Sequence, residues 1–333
     1  MRIVFFLLFM SLCCGCTYKA ETEKYQTKRD RIVNVHNSIK EIKIEEPLIN
    51  ENSSLYLIDK YLIIGDYKSL DKIIHLFDRN NFKYITSISS LGQGPGEIAN
   101  LGYIGVNNAD REFYVTDHGK QKIFSYKLDS VIANPSYIPE MKMEIKENQF
   151  PTKYQYINDT LCIGIIIEPV GNANFKPTVA KWNMNTGEIR LMQNYHPDIS
   201  KKRINLGVSM HDSLYAECYT YHDLITICDL DGNLKYNIYG PNWANEGPRK
   251  IHYYDDIIFC KSKIVAAYSG GDNLTDAYYP TKFMVFDLNG NYIKTLETGY
   301  MIFNICYDKD NERIIMSLND EIQFAYLEMD NLI

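Results

Sequence analysis

The sequence has no dense stripe of Lys and Arg: its 35 basic residues are scattered over 333 positions and outnumbered by 42 acidic ones. Because nucleic-acid phosphates are neutralised by clustered positive charge, we expect no nucleic-acid partner. Only 19 Gly and 11 Pro are present, which excludes collagen-like and low-complexity chains. Five cysteines downstream of residue 16 show no C-x-x-C pair, so neither a zinc site nor a disulfide framework is expected.

The only long apolar run lies at the N-terminus, over residues 3–12, after Met1 and Arg2. It has about half of the ~20 residues that a membrane-spanning helix needs, so it is typical of a signal-peptide core. The following Gly15-Cys16 pair resembles a bacterial lipoprotein signal, which implies cleavage before Cys16 and lipidation of that residue. Cys13 occupies a position where such signals usually carry Leu, so a plain secretory signal is the alternative. No acidic run follows Cys16, and we therefore favour the periplasmic side of the outer membrane over the cell surface.

Tyrosine is abundant, with 27 residues, and this favours β structure because aromatic rings pack well on pleated sheets. A strand ending in an aromatic-Asp pair or a close variant, followed by a tight turn and another strand, recurs at intervals of 49, 56, 46, 58 and 40 residues. A period of roughly fifty residues is typical of β-propeller blades, whereas a β-helix has a much shorter period and a pair of β-sandwiches leaves the repeat unexplained. The six anchors of the repeat are Phe77, Tyr126, Trp182, Cys228, Phe286 and Tyr326.

These anchors predict an all-β, six-bladed β-propeller over residues 34–333, after a signal peptide over 1–15 and a tether over 16–33. Three strands are recognised for blade one, YLIIGD, KIIHLFD and KYITSI, and four for each of blades two to five. Blade six has MIFNICYD, RIIMSL and EIQFAYLEM and lacks a fourth strand. The alternating segment 38–45 is predicted to complete it, because closing the ring removes open sheet edges.

Two stretches carry a family resemblance. SSLGQGPGEIANL, over residues 89–101, resembles the G-x-G-P-G-E signature of the TolB-like six-bladed β-propeller lipoproteins of gut Bacteroidota, and YVTDHGKQKIFSY, over 114–126, is similar to an NHL-type blade core. The resemblance implies a propeller in the cell envelope and no defined activity. Because Gly and Pro punctuate loops, we interpret the signature first as a turn between blades. It comprises Gly92, Gln93, Gly94, Pro95, Gly96 and Glu97.

The sequence contains no G-x-S-x-G, no H-E-x-x-H and no phosphate-binding loop, so no catalytic residue, cofactor or metal site is predicted. YDKDNE and CDLDGN begin like calcium loops but do not reach the bidentate Glu that such loops require, and we interpret both as hairpin turns. An enzyme remains the alternative. A calcium-dependent lactonase of the gluconolactonase type has the same architecture and needs Glu, Asn and Asp side chains that converge at the central channel. Asn107, Asp159 and Asp212 lie near the ends of predicted inner strands and keep this alternative open.

Most long connections are predicted on one propeller face, because outer-to-inner and second-to-third strand connections share that face. They span residues 92–100, 169–177, 196–203, 240–250 and 270–280. Aromatic and cationic side chains on rigidly supported loops are typical of binding sites. We therefore predict a non-catalytic module that binds a protein or glycan there, with a structural assembly factor as a further alternative. The candidate contact residues are Phe175, His196, Arg203, Trp243, Arg249, Tyr278 and Tyr279.

Overall fold

The repeat seen in the sequence corresponds to one recurring position in the fold, because all six anchors lie on the third strand of a four-stranded blade. The computed structural model describes residues 21–145, 150–158, 160–171, 175–192, 196, 199, 203–244 and 250–333. Within them the chain forms the predicted six-bladed β-propeller, in which each blade is built around antiparallel strands that follow one another in the chain, and N-terminal strands are added to blades four, five and six. Hydrophobic residues pack between neighbouring blades, and Tyr, Ile and Phe supply most of the large buried side chains.

The strands are numbered along the chain. Blade one contains β4 (Ser54–Ile58), β5 (Tyr61–Gly65), β6 (Lys72–Asp78) and β7 (Tyr84–Ser90). Blade two contains β8 (Leu101–Asn107), β9 (Glu112–Asp117), β10 (Lys122–Lys127) and β11 (Glu140–Glu144), with helix α1 (Leu128–Ala133) between the last two strands. Blade three contains β12 (Phe150–Tyr156), β13 (Leu161–Pro169), β14 (Phe175–Asn183) and β15 (Ile189–Leu191).

Blade four contains β16 (Ile204–Ser209), β17 (Leu214–Tyr219), β18 (Leu224–Asp229) and β19 (Leu234–Tyr239). Blade five contains β20 (Ile251–Cys260), β21 (Lys263–Asp272), β22 (Lys282–Asp287) and β23 (Tyr292–Glu297), with a 3-10 turn at Asp276–Tyr278. Blade six contains β24 (Ile302–Asp308), β25 (Arg313–Leu318) and β26 (Phe324–Glu328). The N-terminal region adds β1 (Glu23–Tyr25), β2 (Ile32–Asn34), a 3-10 turn (His36–Ser38) and β3 (Ile39–Glu41).

Blade one differs from the sequence prediction, which recognised only three of its strands. Its inner strand is β4, with the sequence SLYLI, and it pairs antiparallel with β5. Only two residues separate β4 from β5, so the sequence shows one nearly continuous apolar stretch from Leu55 to Ile64, interrupted by Asp59 and Lys60. The positive φ of Asp59 makes the tight turn that divides this stretch into two strands.

The ring is closed as predicted, because β3 pairs antiparallel with β26 and becomes the outer strand of blade six. The next residue, Ile42, is 5% exposed and packs in one cluster with Leu55 of blade one and Phe324 of blade six. On the opposite side of this seam, Arg79 of blade one forms ion pairs with Asp308 and Asp310 of blade six. Closure therefore combines backbone pairing, apolar packing and charge pairing between the first and last blades.

The stretch predicted as a tether over residues 16–33 is partly integrated into the propeller. Strand β1 pairs in parallel with β19 of blade four, and β2 pairs in parallel with β23 of blade five, so each of these blades has five strands. We call residues 21–35 the N-terminal strap. Outer edge strands present unpaired N–H and C=O groups, and the strap covers two of the six such edges. A sequence analysis misses β1 and β2 because each has three residues and little alternation.

Arg29 fixes the strap between blades four and five. Its guanidinium donates to Asp223 Oδ1 at 2.7 Å and to the Tyr254 hydroxyl at 2.8 Å, and both the Arg29 and Asp223 side chains are almost fully buried. Burial opposes its charge, but Tyr254 and Asp223 outweigh that effect and raise the pKa of Arg29 above its usual range. The ion pair thus joins the N-terminal segment to two successive blades.

We predict that replacing residues 39–42 by a Gly-Ser segment of equal length opens the ring. Blade six would lose its outer strand, and loss of the Ile42 side chain alone costs about 2–5 kcal/mol. Thermal unfolding and light scattering should show a lower, broader transition and aggregation. The exposed pair Lys43→Ser/Glu45→Ser is the control, and a Gly-Ser variant that melts like wild type would contradict this role of β3.

We predict that Arg29→Ala destabilises the propeller by about 3–5 kcal/mol, because it leaves the carboxylate of Asp223 buried without its cation. Chemical denaturation measures the loss. Lys28→Ala removes a neighbouring but exposed cation and should change stability by less than about 0.5 kcal/mol. Equal stabilities of the two variants would show that the strap is not held by Arg29.

Candidate functional site

The central channel opens into a cavity of about 450 Å³ on the face that carries the long connections. Its wall consists of the first residues of the inner strands, including Ser54, Gly102 and Ile204, together with His118 from a second-to-third strand connection. Inner strands begin on the face where second strands end, which places this cavity on the predicted loop-rich face. Polar side chains are prominent in its wall: Tyr67, Tyr103, His118, Thr152, Lys153, Arg203, Asn205, Asp255, Asp256 and Asn304.

A polar network crosses the floor of the cavity. Lys153 Nζ of blade three lies 2.5 Å from Asp256 Oδ1 of blade five. Asn304 Nδ2 of blade six donates to Asp256 Oδ2 at 3.3 Å, and Asn304 Oδ1 accepts the backbone N–H of Leu55 of blade one at 2.7 Å. We call Lys153, Asp256 and Asn304 the channel belt. Because its members come from different blades, their distances depend on the closed ring.

Burial and charge act against each other in the belt. Burial disfavours the Lys153 ammonium, but Asp256 and Tyr103 outweigh that effect, and the pKa of Lys153 is raised. Burial raises the pKa of the neighbouring Tyr103 to about 12, so its hydroxyl stays protonated at neutral pH. At the rim, burial lowers the pKa of His118, which favours its neutral form. The cavity therefore contains a buried charged pair beside neutral hydrogen-bonding groups, with Arg203 and Asp255 as further charged residues of its wall.

A second cavity of about 290 Å³ lies on the opposite side of the belt. The two cavities share part of their wall, including Tyr103, Lys153 and Ile305, and the second one extends to Lys309 at the far end of the inner strands. Lys153 therefore stands where the two halves of the channel meet. The second cavity has a largely apolar wall, so the polar groups concentrate at the loop-rich mouth.

Two of the predicted contact residues, Arg203 and Tyr278, belong to a row that starts at the cavity rim, and a third, Tyr279, packs on its end. Arg203 lines the cavity and donates to the Tyr221 hydroxyl at 3.1 Å. From Tyr221 the row continues through His252, with ring centroids 6.5 Å apart, to Tyr278 at 5.8 Å. Tyr279 stacks on Tyr278 at 4.2 Å and is buried. We call Arg203, Tyr221, His252 and Tyr278 the rim row; Arg203 is its exposed end.

His196 and Trp243 belong to a different cluster, around Tyr239 at the outer edge of blade four. The Trp243 ring lies 4.8 Å from Tyr239 and 5.3 Å from His196, and His196 Nε2 is 2.7 Å from the Tyr239 hydroxyl. His196 is buried and Trp243 is half-buried. Packing is therefore a substantial part of the role of both residues, and their predicted role as contact residues stays a prediction.

The turn that carries Trp243 is fixed by the same carboxylate that binds Arg29. Asp223 accepts the backbone N–H of Asn242 at 3.2 Å, and its backbone oxygen accepts the N–H of Gly240 at 2.7 Å. A Cβ at Gly240 would lie 2.0 Å from the Asp223 carboxyl group, so this close approach requires glycine. The N-terminal strap and a loop of the candidate binding face thus share one buried anchor.

The remaining predicted residues are placed apart or lie outside the described region. Phe175 begins β14 and is 63% exposed, because β13 and β14 extend as a long hairpin through residues that the sequence suggested were irregular. Arg249 and Cys16 lie outside the described residues, so their predicted roles stay predictions. Among the described part of the chain, no helix is long and apolar enough to cross a bilayer.

The GQGPGE segment forms a compact turn between blades one and two. The Glu97 carboxylate accepts the N–H of Gly94 at 2.7 Å, and Lys120 Nζ donates to the backbone oxygens of Gly94 and Glu97. A Cβ at Gly92 would lie 2.1 Å from Glu97 Oε2, so the folded-back carboxylate requires glycine at this position. The sequence pattern is therefore accounted for by the conformation of the turn.

Of the residues named for a lactonase, the two that the structure describes lie in turns and not in the walls of the channel cavities. The Asn107 side chain donates to Asp110 and closes the β8–β9 turn of blade two. Asp212 accepts from Ser209 in the corresponding β16–β17 turn of blade four. Asp159 lies outside the described residues. Among those that are described, no group of three or more His, Cys, Asp or Glu side chains is arranged to hold a metal ion.

The channel belt was missed by the sequence analysis. A signal does exist in the inner strands, where Lys153 interrupts FPTKYQY and two aspartates interrupt HYYDDIIFC. Charged residues inside buried strands are rare unless they are paired. The sequence could have raised Lys153 and Asp256 as candidates, but not their contact, because 103 positions separate them.

Comparisons with known proteins agree with the fold. Residues 43–162 match the family model DUF5128, which is described as a 6-bladed beta-propeller. A solved structure of a DUF4221 family member from Bacteroides vulgatus is similar over 87% of this chain and 96% of its own, with 14% identity and a TM-score of 0.64. A Bacteroides fragilis protein described as exported is similar over 89% and 87%, with 11% identity and a TM-score of 0.55.

No functionally curated protein matches the sequence. At these identities the two solved structures support the propeller architecture alone. The class of the protein is therefore a six-bladed β-propeller, whereas the TolB-like affiliation and the GQGPGE signature as a family marker stay predictions.

Proposed function

We propose that the protein is a lipid-anchored propeller of the cell envelope that binds a protein or glycan partner on its loop-rich face and catalyses no reaction. The observation that carries this proposal is the polar cavity of about 450 Å³ at the mouth of the channel, flanked by the rim row. Ligand sites are typically concave, have volumes of ~300–1,000 Å³ and contain a few fixed polar groups. The channel belt supplies such groups on rigid strands.

The envelope location rests on the N-terminal segment and gains support from the exported Bacteroides fragilis neighbour. If Cys16 is lipidated, only six residues separate it from β1, and a chain of that length spans at most about 25 Å. The outer edge of blade four would then lie close to the bilayer, and the periplasmic side of the outer membrane is the location that we propose.

The path of the strap also orients the propeller. Strand β1 runs parallel to β19, and β19 runs towards the loop-rich face. The N-terminal end of β1 therefore points towards the opposite face, and an anchor at Cys16 on that side would leave the cavity pointing away from the membrane. That orientation keeps the mouth of the channel accessible to a partner.

We predict that Cys16→Ser releases the protein from membranes into the soluble envelope fraction. Acyl chains contribute about 0.8 kcal/mol per buried CH₂, and the described surface offers no spanning helix in their place. Fractionation of cells, with metabolic labelling by a fatty acid, measures the change. Cys306→Ser, which removes a partly buried thiol, serves as the control. Membrane retention of the Cys16 variant would contradict the anchor.

We predict that rim residues and Trp243 respond differently to alanine. Arg203→Ala and Tyr278→Ala should cost less than about 1 kcal/mol of stability but weaken capture of the envelope partner by over ~1–2 kcal/mol if they are hot spots. Trp243→Ala should destabilise by roughly 2 kcal/mol, because its ring is half-buried against three others, whereas full burial costs ~3–5 kcal/mol.

The test of capture is a pull-down from solubilised native envelopes, in which the bound partners are identified. Denaturation curves of the same variants measure their stability. Lys309→Ala, an exposed cation at the opposite end of the channel, is the matched control and should retain capture. If the rim variants capture every partner as wild type does, the loop-rich face is not the binding surface. Recovery of envelope assembly proteins alone would favour the assembly-factor alternative.

A further inference from the structure

The cavity at the loop-rich mouth has balanced charge. Lys153 and Arg203 contribute two positive groups to its described wall, and Asp255 and Asp256 contribute two negative ones. Lys153 is already paired with Asp256, and burial keeps His118 neutral at ordinary pH. An anionic ligand such as a phosphate or uronate needs an excess of cationic donors, and a cationic ligand needs the reverse. This balance suits a ligand without net charge.

The belt presents donors and acceptors side by side. Lys153 Nζ has Asp256 as its one hydrogen-bond partner among the described residues, so further protons of the ammonium are available to a ligand. Asp256 and Asn304 hold acceptor oxygens within the same network. Adjacent hydroxyl groups can each donate to a carboxylate and accept from an ammonium or amide. A fixed ammonium–carboxylate–amide group therefore matches a vicinal diol.

Aromatic rings in the same wall complement the C–H faces of a sugar. Tyr103 and Phe303 are half-buried, and both line the cavity next to the belt. Pyranose rings have one polar edge of hydroxyl groups and a less polar C–H face that packs on aromatic rings. The polar groups of the channel belt can bind the hydroxyl groups of a sugar, and the neighbouring aromatic rings can pack on its C–H face within the same cavity.

Resting on the proposed function, we propose that this cavity binds a neutral carbohydrate, either a single sugar residue or the end of a short oligosaccharide. The channel belt hydrogen-bonds vicinal hydroxyl groups, and Tyr103 and Phe303 contact the ring. Outside the cavity, the rim row contacts the rest of the glycan or the molecule to which the glycan is attached. The cavity volume sets the size of the part that enters the channel.

The test is direct binding of defined sugars to the full-length protein in detergent, measured by saturation-transfer NMR and calorimetry. The neutral probes are glucose, galactose, mannose and N-acetylglucosamine with their disaccharides; glucuronate, galacturonate and inorganic phosphate are the anionic probes. We expect at least one neutral probe to bind and the anions to bind more weakly. Binding of the anions alone, or of no neutral sugar at all, would overturn the proposal.

The double variant Lys153→Met/Asp256→Leu locates the binding. Replacing both partners of a buried pair by apolar side chains of similar size leaves folding intact more often than removing one partner. We expect sugar affinity to fall roughly ten- to a hundredfold, because hydrogen bonds to charged groups are lost. Lys309→Met removes a cation from the opposite cavity and should bind sugar as wild type does. Unchanged affinity of a folded double variant would refute the site.

The two proposals fail in distinguishable ways. Partner capture that depends on Tyr278, without sugar binding, would refute the carbohydrate site and leave a protein-binding face. Sugar binding that depends on the belt, without a captured protein, would support a glycan receptor. If the protein captures no partner and binds no sugar, the proposed binding function itself is refuted.

Discussion

Closure of the ring is the constraint on which the rest of the structure depends. A propeller whose last blade lacks a strand has an open edge, and β3 supplies the missing strand from the opposite end of the chain. The same N-terminal region continues backwards as the strap, which covers the edges of blades four and five and buries Arg29 against Asp223. The segment that closes the fold is therefore also the segment that would carry the lipid anchor.

The channel belt is the clearest consequence of closure. Lys153, Asp256 and Asn304 lie on inner strands of blades three, five and six, and the network reaches the backbone of blade one. A buried ion pair contributes little net stability compared with apolar packing of the same volume, because both charges lose their hydration. Stability alone therefore gives little reason for a charged pair at the axis. Its position at the base of a polar cavity agrees with the proposed role of the pair in ligand binding.

Aromatic residues have two separate roles on the loop-rich face. Around Tyr239 they pack together with His196 and Trp243, and Tyr25 of the strap stacks on the same ring at 4.4 Å. This cluster joins loop, blade and strap. The rim row instead leads from Arg203 at the cavity to Tyr278, where side chains remain partly exposed. The same residue types thus support the face at its edge and line the proposed contact surface near its centre.

The sequence by itself determined the blade period, the third-strand anchors and the closing strand, because tight turns and two-residue alternation are local properties of the chain. It also identified Arg203 and Tyr278 as members of one face, since strand order fixes which connections lie together. It recognised only one of the two strands in the apolar stretch from Leu55 to Ile64. It also assigned most of the strap to a tether, because three-residue edge strands carry almost no periodic signal. Only the tertiary structure decided that Arg29 reaches Asp223, that Trp243 packs on Tyr239, and that Lys153 meets Asp256. The Arg29–Asp223 and Lys153–Asp256 contacts join residues 194 and 103 positions apart, so they depend on the geometry of the closed ring. The Trp243–Tyr239 contact spans only four positions, but it depends on how the loop folds back onto β19, which no periodic pattern shows.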